Sequence, residues 1–161
     1  MRKLKVYLDT SVISFYFAED APEKMAITRK LFDRELVSGK YEILLSETTI
    51  GELSDCTNLE LRQKLLTFVK ELPAKVHPLT EEVNQIAKEF VDEGYIPSKY
   101  QEDALHLAFA LVLNVDYIVS WNFQHIVKPK TKKAVKIIAI KEGFKEIDII
   151  TPEEVVTNEN E

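Results

Sequence analysis

The chain reads as an α/β domain whose mainly parallel sheet is covered by helices on both faces. Short apolar runs at Val6–Leu8, Glu42–Leu45, Tyr117–Val119 and Ile147–Ile150 have the length of strands. Segments with helical periodicity separate them, so successive strands are joined by crossovers, and crossover connections make parallel sheets. Only four glycines occur in 161 residues, which suits short loops and long helices.

The first strand is Val6-Tyr7-Leu8, with Asp9 directly at its end and Thr10 and Ser11 as caps for a helix from Val12. Pro22 opens a helix to about Ser38, closed by Gly39, with Met25, Thr28, Phe32 and Leu36 on its inner side. After the second strand, Ser46 caps a helix carrying Glu47, Ile50, Glu52 and Leu53. Asn58 caps another, with Leu61, Leu65, Phe68, Val69 and Leu72, stopped by Pro73. His77 and Pro78 fall in a connector.

Thr80 opens a helix whose Val83, Ile86, Ala87, Phe90 and Val91 follow i, i+3, i+4, i+7, i+8 spacing, ended by Gly94. Ser98 and Gln101 have capping-box spacing for a helix from Lys99 to about Leu113, which Asn114 closes in the left-handed conformation. A lysine-rich segment leads into a helix around Ala134, Ile137 and Ile138. The expected organisation is one domain over residues 1–156 and a loose acidic tail over 157–161.

An apolar fraction of 45% and a charged fraction of 30% describe a globular chain. The single cysteine, Cys56, excludes an intrachain disulfide and a multi-thiolate zinc site, and points to a reducing, cytoplasmic compartment. The apolar stretch behind the basic amino end meets Asp9 too soon for a signal peptide or membrane span. A net charge of −6 argues against broad nucleic-acid binding, unless the acids gather at metal ions and cations such as Lys128, Lys130, Lys132, Lys133 and Lys136 form one patch.

Three acids fall where the carboxyl edge of a sheet gathers side chains: Asp9 after the first strand, Glu52 in the helix after the second, and Asp103 near the start of a capped helix. Carboxylates so gathered repel one another unless a cation neutralises them. An all-oxygen ligand set suits Mg2+ or Mn2+ and the acidification of a water for in-line attack on a phosphodiester. Each acid has a plainer alternative: Asp9 as a helix cap, Glu52 as an exposed helix residue, Asp103 as a favourable charge at a helix N-terminus. Glu102 points elsewhere around its helix, Asp55 is an outside candidate, and Asp116 belongs to the opposite edge of the sheet. A packed histidine is the favoured reading of His106. His125 and Trp121 lie near the cleft mouth, where Trp121 has the shape to stack on a base or to be buried.

Four segments in this order carry a resemblance: Tyr7-Leu8-Asp9-Thr10-Ser11-Val12-Ile13, Thr49-Ile50-Gly51-Glu52-Leu53, Glu102-Asp103-Ala104-Leu105-His106-Leu107-Ala108 and Asp116-Tyr117-Ile118-Val119-Ser120-Trp121-Asn122-Phe123. Together they resemble the PIN-domain nucleases, which include the VapC-like toxins of toxin–antitoxin pairs. The resemblance implies a three-layer α/β domain with a parallel sheet of about five strands, and metal-dependent cleavage of single-stranded or structured RNA. It implies catalytic and metal-binding roles for Asp9, Glu52, Asp103 and Asn122, and substrate contacts from Thr10, Ser11, Ser120, Lys128 and Lys130. It further implies an antitoxin partner and a homodimer. Asn122 departs from the family, which usually places a fourth acid there; a neutral amide brings no charge and weakens a second ion's site. The alternative is a catalytically silent PIN-like module that binds RNA or a protein. A phosphohydrolase with Asp9 as nucleophile is disfavoured, because the second acid expected two residues on is Ser11.

Overall fold

The computed structural model describes residues 2–158. Its elements are β1 (Leu4–Leu8), α1 (Thr10–Phe15), α2 (Pro22–Lys30), β2 (Tyr41–Ser46), α3 (Glu47–Ser54), α4 (Leu59–Glu71), β3 (Ala74–His77), α5 (Glu81–Asp92), α6 (Gln101–Val112), β4 (Tyr117–Val119), α7 (Pro129–Glu142), β5 (Asp148–Ile150) and α8 (Pro152–Asn158). The five strands form one sheet in the order β3-β2-β1-β4-β5, with every pairing parallel.

Strand alternation divides the core in two. Tyr7, Leu44, Ile118 and Ile149 face one side and pack with α5, α6 and α7. Val6, Leu8, Ile43, Leu45 and Val119 face the other, against residues of α1, α3, α4 and the segment after α2. Full burial of each large apolar side chain contributes on the order of 1.5–3 kcal/mol, so both layers are firmly attached. No helix among the described residues is long and apolar enough to cross a membrane.

Several boundaries differ from the sequence reading. The segment around His77 is an edge strand paired to β2, not a connector. Four residues bracketed by Pro73 and Pro78 are too few to display a period, and only pairing makes them a strand. Helix α1 starts at Thr10 with Asp9 as its cap. The helix from Pro22 tightens and loosens after Lys30, through a π turn at Leu31–Glu35 and a 3-10 turn at Leu36–Ser38, before Gly39 turns left-handed at φ 86°. Ser98–Tyr100 is a 3-10 turn, and α6 begins at Gln101 without a side-chain cap. The last helix runs through Asn158, past the boundary expected at Val156, and residues 159–161 of the expected tail lie outside the described residues. The caps at Asn58 and Thr80 do form, and Asn114 adopts the left-handed conformation at φ 54°.

Candidate active site

β1 is the central strand, so its carboxyl end opens between the carboxyl ends of β2 and β4. Asp9 sits there, 3% exposed, on backbone too extended for the helix it caps. Its Oδ1 accepts from Ser11 Oγ at 2.5 Å and from the Val12 amide at 3.4 Å; its Oδ2 accepts from Ser120 Oγ at 2.5 Å. The capping role and the site role therefore coincide in one carboxylate. Burial pushes its pKa up, against the charge of His106 and the hydrogen bonds of the two serines and Val12.

Ser11 and Ser120 do more than hold Asp9. Ser11 Oγ also accepts from the Trp121 amide at 2.9 Å, and Ser120 Oγ accepts from the Asn122 amide at 2.9 Å. The two hydroxyls thus tie the start of α1 to the loop after β4. Thr10 Oγ1 donates to Glu52 Oε1 at 2.7 Å. The hydroxyls of Thr10, Ser11 and Ser120, expected as substrate contacts, each donate to a carboxylate here. Lys130 reaches the Gly94 carbonyl at 3.2 Å, beyond α5, while Lys128 stands at the start of α7 near His125.

Glu52 and Asp103 arrive on α3 and α6. Glu52 Oε1 also receives His106 Nε2 at 2.6 Å. Burial raises the pKa of Glu52, but the hydrogen bond and charge of His106 and the bond from Thr10 outweigh it, leaving Glu52 below its ordinary value. Asp103 has no such partner. Burial first, then the charges of Asp9 and Glu52, push its pKa up to about 6, despite His106 and a hydrogen bond from Asn122 Nδ2 at 3.1 Å. Hydrogen bonds join the same groups: Asp9 reaches Asp103 through Ser120 and Asn122, and Glu52 is tied to Thr10, the residue after Asp9, and to His106. Glu102 and Asp55 are exposed, and Asp116 binds Arg2, Lys145 and the Lys5 amide at the far edge of the sheet.

Asn122 joins the site by its amide nitrogen. Its Oδ1 accepts from the His125 amide at 2.9 Å and closes the loop, which turns the oxygen expected as a metal ligand away from Asp103.

His106 is packed and hydrogen-bonded, as the sequence favours, but its link to Glu52 is not foreseen there. It is 2% exposed, with Nδ1 2.7 Å from Tyr7 Oη, and Tyr7 Oη is in turn 2.7 Å from Ser46 Oγ. Burial pushes its pKa down, but the hydrogen bond to Glu52 and the charges of Glu52, Asp9 and Asp103 bring it above the ordinary histidine value. A protonated ring donates at both nitrogens, to Glu52 and to Tyr7. The available signal was spacing: His106 lies three residues after Asp103 on one helix, and Tyr7 two before Asp9.

Among the described residues, no three acid, histidine or cysteine side chains converge closely enough to enclose an ion by themselves. The donor chemistry is nonetheless that of a hard cation, since every oxygen offered is a carboxylate's and Asp103 is destabilised by its neighbours' charges. Mg2+ characteristically uses one or two carboxylates and keeps several waters, so it does not require a closed cage of protein ligands.

No protein-family model matches the chain, and no curated protein matches it in sequence. Solved structures do match in shape. The sarcin-ricin loop cleaving toxin VapC20 of Mycobacterium tuberculosis aligns at a TM-score of 0.60 and 14% identity, over 88% of this chain and 98% of that one. VapBC2 of Rickettsia felis, solved with a DNA fragment from its promoter, aligns at a TM-score of 0.54 and 13% identity, over 92% of this chain and 98% of that one.

Proposed function

The chain has the VapC-like PIN-domain fold, and from that premise we propose that it is a divalent-metal-dependent endoribonuclease acting as the toxin of a toxin–antitoxin pair. One observation supports the reading: at the carboxyl edge of the sheet Asp9 is linked to Asp103 through Ser120 and Asn122, and Glu52 is held beside them by Thr10 and His106. Surplus negative charge in a half-buried cleft is costly unless a cation is part of the working state.

Asp9 and Asp103 are the residues that would hold the cation. When bound there, Mg2+ or Mn2+ would supply charge for the phosphate and acidify a water. Ser11 and Ser120 fix the Asp9 carboxylate, and Asn122 steadies ionised Asp103. Protonated His106 keeps Glu52 ionised through Oε1, leaving Oε2 to take a proton from the water. The substrate is single-stranded or structured RNA, as the cleavage described for VapC20 suggests. An antitoxin partner completes the assembly, by analogy with VapBC2, and a second copy of the chain is proposed on the family resemblance alone.

The test is cleavage of labelled RNA with Mg2+, with Mn2+ and with chelator. Cleavage requires metal and disappears in Asp9→Asn and Asp103→Asn proteins that remain folded. Undiminished cleavage by both variants removes these residues from the reaction. A silent RNA- or protein-binding module is the second reading, favoured by the neutral Asn122 whose oxygen is committed to His125. Binding without turnover across metals and RNAs would establish it.

A further inference from the structure

Beside the acid cluster lies an aromatic group that the proposed chemistry does not use. Phe123 follows Asn122 directly and is 50% exposed, the one aromatic ring among the exposed large apolar side chains of the described residues. Trp121 backs it, with ring centroids 6.3 Å apart, and Phe15 lies 6.0 Å behind Trp121. The Lys24 ammonium sits over all three rings, 5.3 Å from Phe15, 5.5 Å from Trp121 and 5.4 Å from Phe123. It pairs with no carboxylate among the described residues.

The group is rigid. Trp121 is 5% exposed, its Nε1 donates to Thr28 Oγ1 at 2.8 Å and its amide donates to Ser11 Oγ. The loop that presents Phe123 is pinned by the Asn122 side chain and by the Ile126 and Val127 amides on the Asn122 carbonyl, at 3.1 and 2.8 Å. Burial of Trp121 removes it as a free stacking face and leaves that role to Phe123. A fixed ring loses little entropy when it stacks on a base.

Resting on the nuclease reading above, we infer that Phe123 is a stacking platform for one unpaired base of the RNA strand, with Lys24 meeting the adjoining phosphate. The patch suits this occupant by size and charge. It offers a half-exposed ring and one cation able to swing aside on its flexible stem, next to the residue that touches Asp103. A protein interface needs a wider contiguous surface.

The experiment is fluorescence anisotropy of labelled oligoadenylate and oligouridylate of about ten nucleotides, in chelator so that no cleavage occurs. Wild type binds oligoadenylate more tightly, since purines stack better. Phe123→Leu keeps an apolar side chain but lacks the π face; it weakens oligoadenylate binding about fivefold or more and erases the base preference. Phe123→Tyr retains both. Lys24→Gln weakens both oligonucleotides alike and lowers the salt dependence. If Phe123→Leu binds oligoadenylate like wild type while Asp9-dependent cleavage persists, the platform is overturned and the nuclease reading stands. If wild type neither binds nor cleaves RNA, both fall. If Phe123→Leu binds RNA normally but releases a co-purified protein, the patch is a protein surface and the inference is overturned.

Discussion

His106 Nε2 stands 2.6 Å from Glu52 Oε1 across 54 residues of sequence, and the imidazole is almost fully buried while the glutamate is about one-third exposed. The pair decides the charge state of the cleft. Glu52 is held below its ordinary pKa and His106 above its own, whereas Asp103, one helical turn before His106, is left with raised affinity for a proton. The same cleft thus contains a carboxylate that has its counter-charge and another that lacks one.

His106→Gln costs stability, on the order of 1–3 kcal/mol, because the buried Tyr7 hydroxyl and Glu52 both lose a partner. The pH dependence has a definite sign. The folded pKa of His106 is raised above 6.5, so its contribution is complete below that value and is lost as pH rises through the folded value. Glu52 is shifted the other way; its contribution is present above 4.5 and is lost as pH falls through its lowered value. Urea unfolding of wild type shows stability declining above about pH 6.5, and the His106→Gln protein shows a flatter profile there.

Asp103→Asn in chelator is at least as stable as wild type at neutral pH. The folded pKa of about 6 exceeds the ordinary 3.8, so wild type loses stability as pH rises from 3.8 through about 6, and the amide removes that loss. Thermal melts between about pH 4 and pH 7 measure it. A variant that melts well below wild type at neutral pH would show that the Asp103 charge is satisfied without metal.

Added Mn2+ raises the melting temperature of wild type, and the rise grows as Asp103 deprotonates near pH 6, because a carboxylate ligand must be ionised. The rise is lost in Asp9→Asn and Asp103→Asn. An equal rise in all three proteins would place the ion elsewhere.

Asn122→Asp restores an acid at the position where the resembled family has one. It replaces the Nδ2 donor to Asp103 with a like charge, so the metal-free protein loses on the order of 1–3 kcal/mol. Isothermal titration then shows tighter Mn2+ binding than wild type. Weaker binding would mean that the Asn122 hydrogen bond contributes more to the site than a fourth charge does.

Asp116→Ala tests the opposite edge of the sheet. Asp116 accepts the Lys5 amide at 2.8 Å together with Arg2 and Lys145, which hold its carboxyl well below the usual range. Its contribution is present above the ordinary carboxylate pKa and is lost in acid. Removal costs on the order of 1–3 kcal/mol at neutral pH and leaves Mn2+ binding unchanged, as unfolding and titration together would register.

Much of this architecture is legible along the chain. The apolar runs at Val6–Leu8 and Tyr117–Val119, the caps at Asn58 and Thr80 and the helical stripe from Val83 to Phe90 depend on neighbours near in sequence, and they form where the spacing puts them. β3 does not follow that logic, since four residues between two prolines become a strand only through pairing with Ile43–Ser46. The same limit applies to Ser46, which marks the helix boundary as expected while its hydroxyl turns to Tyr7 instead of capping.

The site divides in the same way. Sequence by itself determined the fold class and singled out Asp9, Glu52 and Asp103, because strand ends and helix starts are local signals and the chemistry of an acid is intrinsic to it. Tertiary structure alone decided that Ser11 and Ser120 serve Asp9, that His106 serves Glu52, and that Asn122 presents its nitrogen to Asp103. Those are choices of hydrogen-bond partner between elements far apart in the chain. A side chain's partner, and with it its charge, depends on which atoms burial brings within about 3 Å, and no spacing along the polypeptide encodes that distance.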